Sequence, residues 1–266
     1  MAAEVDPGGV FGTGAGDRPR PREAEVLGVG PFGRPAPHLA AAVCRAGGLG
    51  VLDLGTDRSA ALAALADLTR WWRGGFGVRV QAGCGVRPDE LPGQAHTVLL
   101  DAVSVEETIG YTRGRRLLVE VVDPAEASAA RAAGADGLIA RGCEAGGRVG
   151  DLTTFVLLQH LLGDPQAALP VFAAGGIGPH TAAAAVAGGA AGVVLDVQLA
   201  LVREGELPCD VADALRAMDG SETRVTGGHR IFARPDLPDF DLAGLAPAEA
   251  NARLGASGLH VKALPV

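Results

Sequence analysis

The sequence predicts an α/β fold, a (β/α)8 TIM barrel with a small C-terminal helical or loop cap. Three observations carry that prediction. Eight short runs are continuously apolar rather than alternating, the mark of strands buried on both faces as in a parallel sheet: residues 26–30, 49–54, 76–80, 97–100, 117–121, 137–140, 170–174 and 192–195. Most are separated by Ala-rich stretches with helical spacing, such as 59–72, 124–133, 153–162 and 180–187. The corner between helix and strand also recurs, at 46–52, 133–139 and 188–194, each a glycine helix stop followed at once by an apolar run. Eight alternating units close a barrel, and a doubly wound open sheet is the alternative if one run is not a strand.

Taken in order, residues 1–25 are rich in Gly, Pro and Arg without apolar periodicity and read as a flexible leader. Their Gly12-Thr13-Gly14-Ala15-Gly16 run has neither a strand before it nor a helix after it, so it is not a phosphate loop. Residues 26–218 form the barrel, with Pro124 at a helix start and Gly134 just past its end as those positions favour. The segment 198–202 reads as the beginning of a last barrel helix and 211–218 as a short helix. Residues 219–266 are loop-rich, with Pro235, Pro238 and Pro247 and one weak helix at 247–254, and read as a cap or the start of a linker.

Composition narrows the function classes. Of 266 residues, 48% are hydrophobic but only 4% aromatic, and 40 are glycine, so the core is built from Ala, Val and Leu packed at close range. A net charge of −8 argues against a nucleic-acid partner, which needs a basic surface. No stretch of about 18 apolar residues is present and the N-terminus lacks a signal pattern, so a cytoplasmic protein without a membrane partner is expected. The scattered Cys44, Cys84, Cys143 and Cys209 lack metal-ligand spacing and read as reduced thiols. His160, His180 and His229 form no ligand cluster, read as solvated or capping, and imply no metal.

Two glycine-rich turns are the candidate ligand loops. The run 138–140 discharges into a turn holding Gly142, Gly146, Gly147 and Gly150 around Glu144, and the helix behind it begins near Asp151 and Thr153, residues suited to an N-cap. The run 170–174 ends in Gly175-Gly176-Ile177 before a helix at about Pro179. Bare amides and a helix N-terminus suit an anion, and phosphate commonly sits after strands seven and eight of such a barrel.

These pieces carry a resemblance. Residues 37–43 with 46–50, the loop Glu144-Ala145-Gly146-Gly147, and Ala174-Gly175-Gly176-Ile177 resemble the nitronate monooxygenases and FMN-type enoyl-acyl-carrier-protein reductases, over roughly residues 26–200 and in the right order. The segments 141–159 and 193–199 are most similar to the barrel domains fused to bacterial type I polyketide and polyunsaturated fatty acid synthases. The resemblance implies an FMN-dependent oxidoreductase acting on an acyl (enoyl) thioester, in free or carrier-protein-bound form, or on a nitronate-like substrate, with NAD(P)H as electron donor and other synthase domains as partners; a homodimer is compatible with it. Carried over by position, FMN would lie against Gly30, Pro31 and Phe32, near Arg79, at Gly146 and Gly147, and with its phosphate on Gly175, Gly176 and the strand end at Asp196.

Several of those positions depart from the family pattern. Arg148 stands where the family has a histidine acid/base, and arginine keeps its proton, leaving Arg148 to polarise a carbonyl or an oxyanion beside Glu144. Asp196 replaces a phosphate-binding segment, and a carboxylate about 4 Å from a phosphate at an effective dielectric near 20 costs on the order of 4 kcal/mol per charge pair unless it turns away or pairs with an arginine. Arg79 and Glu120 replace other polar residues and are placed to pair across neighbouring strand ends, with Asp53 and Asp101 close by. The alternative function is a degenerate, flavin-free barrel serving as a scaffold or docking domain in a synthase.

Overall fold

The computed structural model describes residues 23–164, 169–207, 209–219 and 222–232. Eight parallel strands close into a barrel: β1 (Glu25–Val29), β2 (Leu49–Asp53), β3 (Phe76–Val80), β4 (Ala95–Asp101), β5 (Arg116–Val121), β6 (Gly137–Arg141), and then, past a two-residue strand β7 (Gly147–Arg148) that lies outside the barrel, β8 (Val171–Ala174) and β9 (Gly192–Leu195). β9 returns to β1 with Glu25 opposite Gly192 and Gly28 opposite Leu195, which excludes the open sheet. Each predicted run coincides with a strand to within two residues at either end.

The helices follow the same logic. They are α1 (Pro37–Arg45), α2 (Arg58–Trp71), the short α3 (Val105–Thr108), α4 (Pro124–Ala132), α5 (Thr154–Gly163), α6 (Pro179–Ala187) and α7 (Cys209–Arg216). α1, α4 and α6 each open on a proline, whose fixed φ suits the first helical position. Asp57, Asp123 and Thr153 cap α2, α4 and α5 through side-chain oxygens that accept first-turn amides.

Strand alternation sorts the core into two shells. Leu52, Val78, Leu100, Val119, Leu138 and Ala173 face the helices in the larger cluster. Leu27, Val51, Leu99, Leu118, Ile139, Phe172 and Val194 fill the barrel interior. Two residues beyond the interior layer, pointing the same way by the period of a strand, come Asp53, Asp101, Glu120, Arg141 and Asp196, joined on β3 by Arg79 two residues past Gly77. The mouth of the barrel is therefore lined from six strands by charge.

Glycine sets the closeness of the helix layer. A Cβ on Gly50 would lie 2.0 Å from the Ala40 carbonyl of α1, and one on Gly192 would lie 1.9 Å from the Glu25 carbonyl where the barrel closes.

Three features differ from the sequence reading. In place of a last barrel helix after β9 come two single 3-10 turns, Val197–Leu199 and Arg203–Gly205, because the Asp196 and Gln198 side chains satisfy the local amides instead of a helical ladder. The short helix read at 211–218 begins earlier, at Cys209. Within the stretch read as loop-rich, β10 (Thr223–Thr226) and β11 (His229–Phe232) form a hairpin that pairs antiparallel with β7. The segments 1–22 and 233–266, with most of the leader and the helix expected at 247–254, lie outside the described residues. No helix among the described residues is long and apolar enough to cross a membrane.

Gly50→Ala is expected to destabilise the protein by about 1–3 kcal/mol, because α1 must move off the strand. Gly93→Ala, where an added Cβ meets nothing within 4 Å, is expected to change stability by less than about 0.5 kcal/mol. Urea denaturation of both variants checks the difference.

Candidate active site at the barrel mouth

The charged layer at the mouth is organised as a ladder. Arg79 donates to Asp53 at 3.3 Å and to Glu120 at 2.6 Å, and Arg141 donates to the other oxygen of Glu120 at 3.1 Å and lies 4.0 Å from Asp196. Asp53, Glu120, Arg141 and Asp196 are at most 3% exposed, and Arg79 9%. The pairing of Arg79 with Glu120 expected from the sequence is present, and Asp53 extends it. Burial opposes the charge on Arg79, yet Glu120, Asp53 and Asp101 together hold its guanidinium well above the ordinary arginine range.

A second cluster lies beside the first. Arg148 donates through Nε to Asp101 at 3.0 Å and through both terminal nitrogens to Glu126 of α4 at 2.7 and 3.0 Å, with Asp101 a further 2.6 Å partner of Nη2. This fork uses four of the five N–H bonds of the group. The carboxylates raise the Arg148 pKa despite burial, so it stays a cation at any working pH.

The loop between β6 and α5 is shaped by Arg141, whose guanidinium also donates to the carbonyls of Gly146 and Arg148. Gly147 sits at φ +76, a conformation that favours glycine. Glu144 reaches forward to accept both the amide and the hydroxyl of Thr154, at 2.9 and 3.0 Å, fastening the loop to the first turn of α5. Neither Arg148 nor Glu144, the two residues read as catalytic, is a side chain awaiting a partner.

At the end of β8 the backbone turns through left-handed values at Gly175 (φ +102) and Gly176 (φ +62) before α6. Thr181 accepts from the Gly178 amide and donates to the Gly176 carbonyl. Among the described residues the amides of Gly175, Gly176 and Ile177 make no hydrogen bond. At the end of β9 the reverse holds: the Asp196 amide donates to Gln198 Oε1 at 3.0 Å and the Val197 amide to Asp196 Oδ1 at 2.6 Å. Asp196 thus has one oxygen on its neighbour's amide and the other directed across the mouth toward Arg141. Gly30 and Pro31 after β1 are buried, and Phe32 packs against Ala200 and Leu215 of the segment that follows β9.

Three residues escaped the sequence reading. Arg141, the hub of the ladder, shows its signal only as a charge ending an apolar strand. Glu126 looks like an ordinary first-turn helix acid. His229, read as solvated or capping, is fully buried opposite Arg148 in the β7–β11 pair, with Nδ1 2.9 Å from the Gly227 carbonyl. His160 and His180 are exposed as expected, and among the described residues no group of His, Cys, Asp or Glu could hold a metal ion. Burial and the neighbouring Glu144 push the Cys143 thiol up, with Arg230 a smaller opposing influence, so the thiolate is scarce at neutral pH. Iodoacetamide at neutral pH is expected to label the exposed Cys209 and to leave Cys143 largely unmodified until the pH is raised above the ordinary thiol range, as read by peptide mapping.

The same barrel is found in known proteins. FabK of Thermotoga maritima superposes with a TM-score of 0.68 at 30% identity, over 80% of this chain and 73% of that one. A nitroalkane oxidase of Streptomyces ansochromogenes gives 0.68 at 26% identity over 92% and 89%. Among curated sequences, a (3aS,4S,5R,7aS)-5-hydroxy-7a-methyl-1-oxo-octahydro-1H-indene-4-carboxyl-CoA dehydrogenase of Rhodococcus jostii is 30% identical over 238 residues, 81% of this chain. The chain spans 65% of that relative's length. No protein-family model matches the sequence. With strand order, the two glycine loops and these likenesses in agreement, the chain belongs to the nitronate monooxygenase-like barrels that include the FMN-dependent enoyl-ACP reductases.

Proposed function

We propose that this chain is an FMN-dependent oxidoreductase acting on an enoyl or related acyl thioester, free or carrier-bound, as one domain of a larger synthase. The observation that carries the proposal is the set of amides at Gly175, Gly176 and Ile177, which make no hydrogen bond among the described residues and lie at the foot of α6. A phosphate fits such a cradle: it satisfies several donors at once and meets the positive end of the helix. The commitment of Asp196 to the Val197 amide and toward Arg141 removes the main electrostatic objection.

FMN, held in this cradle, would supply the hydride chemistry, with NAD(P)H as the electron donor this reading expects. The chain's residues hold and orient. Gly175 and Gly176 would bind the phosphate, with Gly30, Pro31 and Phe32 forming the wall after β1. Gly146 and Gly147 allow close approach, and the bond from Arg141 to the Gly146 carbonyl fixes the loop to the floor of the mouth. Glu144 fixes that loop to α5, and Arg148, clamped by Asp101 and Glu126, keeps the adjoining wall in place. Arg148 cannot accept a proton, so the site favours hydride transfer over a route that begins with proton abstraction by a side chain at that position. The thioester substrate class draws support from the CoA-linked relative and from the likeness to FabK.

A second reading has one observation in its favour. The amides at the end of β9 are taken up by Gln198 and Asp196 and offer nothing to a phosphate, as a flavin-free scaffold barrel in a synthase would allow.

Titration of the purified chain with FMN separates the two. The first reading expects a bound flavin band and, at a hundredfold excess over Kd, about 2.7 kcal/mol of added stability; no band and no stabilisation would establish the scaffold. Gly176→Val places a branched side chain at a left-handed position and over the cradle. It is expected to weaken FMN binding at least tenfold, and denaturation without FMN reports the backbone strain separately.

A further inference from the structure

Three successive peptide units carry the amides of the proposed cradle, and the direction of each is fixed by what its carbonyl meets. In a trans peptide the carbonyl and the next residue's amide point opposite ways, and among the described residues no peptide bond is cis. The Ala174 carbonyl, which shares a unit with the Gly175 amide, lies 3.1 Å from the Thr154 hydroxyl and accepts the Gly142 amide at 3.1 Å. The Gly175 carbonyl, on the unit of the Gly176 amide, lies 3.0 Å from the same hydroxyl. The Gly176 carbonyl, on the unit of the Ile177 amide, accepts the Thr181 hydroxyl at 2.8 Å. Two threonine hydroxyls therefore stand behind all three amides.

Thr154 is built into this position. It is 2% exposed, and glycines make room for it: a Cβ on Gly142 would lie 2.1 Å from the Thr154 amide, and one on Gly175 3.0 Å from its hydroxyl. A hydroxyl has one proton to give, and a third acceptor, Glu144, also lies 3.0 Å away. Ala174 already receives the Gly142 amide, and Glu144 the Thr154 amide. Among the described residues the Gly175 carbonyl has no other donor, so the proton serves that bond. Thr181 divides in the same way, since the Gly178 carbonyl 3.2 Å from its hydroxyl already receives the Ala182 amide.

We propose that Thr154 and Thr181 are the positioning residues of the phosphate cradle: by bonding the backs of successive peptides they aim the Gly176 and Ile177 amides at the phosphate without touching it. The inference rests on the flavin reading above and adds to it the residues that order its anion site. A Gly-Gly segment samples both signs of φ, and a freely turning peptide would present its carbonyl to the phosphate as readily as its amide. Carbonyls held from behind remove that freedom before the ligand arrives, so binding does not bear the cost of ordering the turn.

The test compares the affinities of the full chain for FMN and for riboflavin, which lacks the phosphate. Thr154→Val removes the hydroxyl at nearly constant volume and is expected to weaken FMN binding about tenfold, the scale of lost hydrogen bonds to a charged ligand. Riboflavin affinity should stay unchanged, and Thr154→Ser, which keeps the hydroxyl, should restore FMN binding. Thr181→Val acts on a different peptide unit; it should show the same selective loss and keeps the test open where Thr154→Val does not fold. Variants that fold and bind FMN as tightly as the wild type, or that lose FMN and riboflavin equally, overturn the inference and leave the flavin reading intact. A wild-type chain that binds no FMN removes both, and its titration alone reads that outcome.

Discussion

The layer of ion pairs across the top of the barrel interior is the constraint on which the site depends. A parallel barrel fills its interior with apolar side chains, and the next inward position on each strand opens onto the mouth, where ligands are bound. Here that position is charged on six strands, and buried charges are tolerable only when paired and hydrogen-bonded. The chain meets this condition by clamping Arg79, Arg141 and Arg148 each between carboxylates from different strands or from α4. Removing any one member would leave its partners buried and uncompensated, so the layer behaves as a unit.

That layer also shapes the ligand loop. Arg141 spends part of its guanidinium on Glu120 and the rest on the carbonyls of Gly146 and Arg148, which couples the loop after β6 to the floor of the mouth. Arg148 carries the coupling outward to α4, and the β10–β11 hairpin extends it by pairing with β7 and by the bond from Arg230 to the Cys143 carbonyl. Charge-assisted contacts fix in place a loop whose glycines would by themselves be conformationally free.

The division of labour at the two strand ends follows from the same accounting of polar groups. At β8 the glycines leave donors for a ligand, while at β9 Asp196 and Gln198 consume them locally. A carboxylate in that neighbourhood is compatible with a bound phosphate because its oxygens are committed to Val197 and directed at Arg141.

The positions of the eight strands and of the long helices were legible in the sequence, because continuous apolar runs, prolines at helix starts and glycines at helix stops are local signals that the barrel leaves unopposed. The glycine turns were legible for the same reason. Apart from the pair of Arg79 with Glu120, the sequence could not settle who pairs with whom. Arg79 also meets Asp53, Arg148 meets Asp101 and Glu126, and His229 is buried opposite Arg148. Those partners lie tens of residues apart along the chain and become neighbours only when strand register and barrel closure bring their ends to one rim. Sequence by itself thus determined where the chain bends and which faces are apolar, since both are written within a few residues. Tertiary structure decided which charges neutralise one another, since electrostatic energy depends on distance in space and not on separation along the chain.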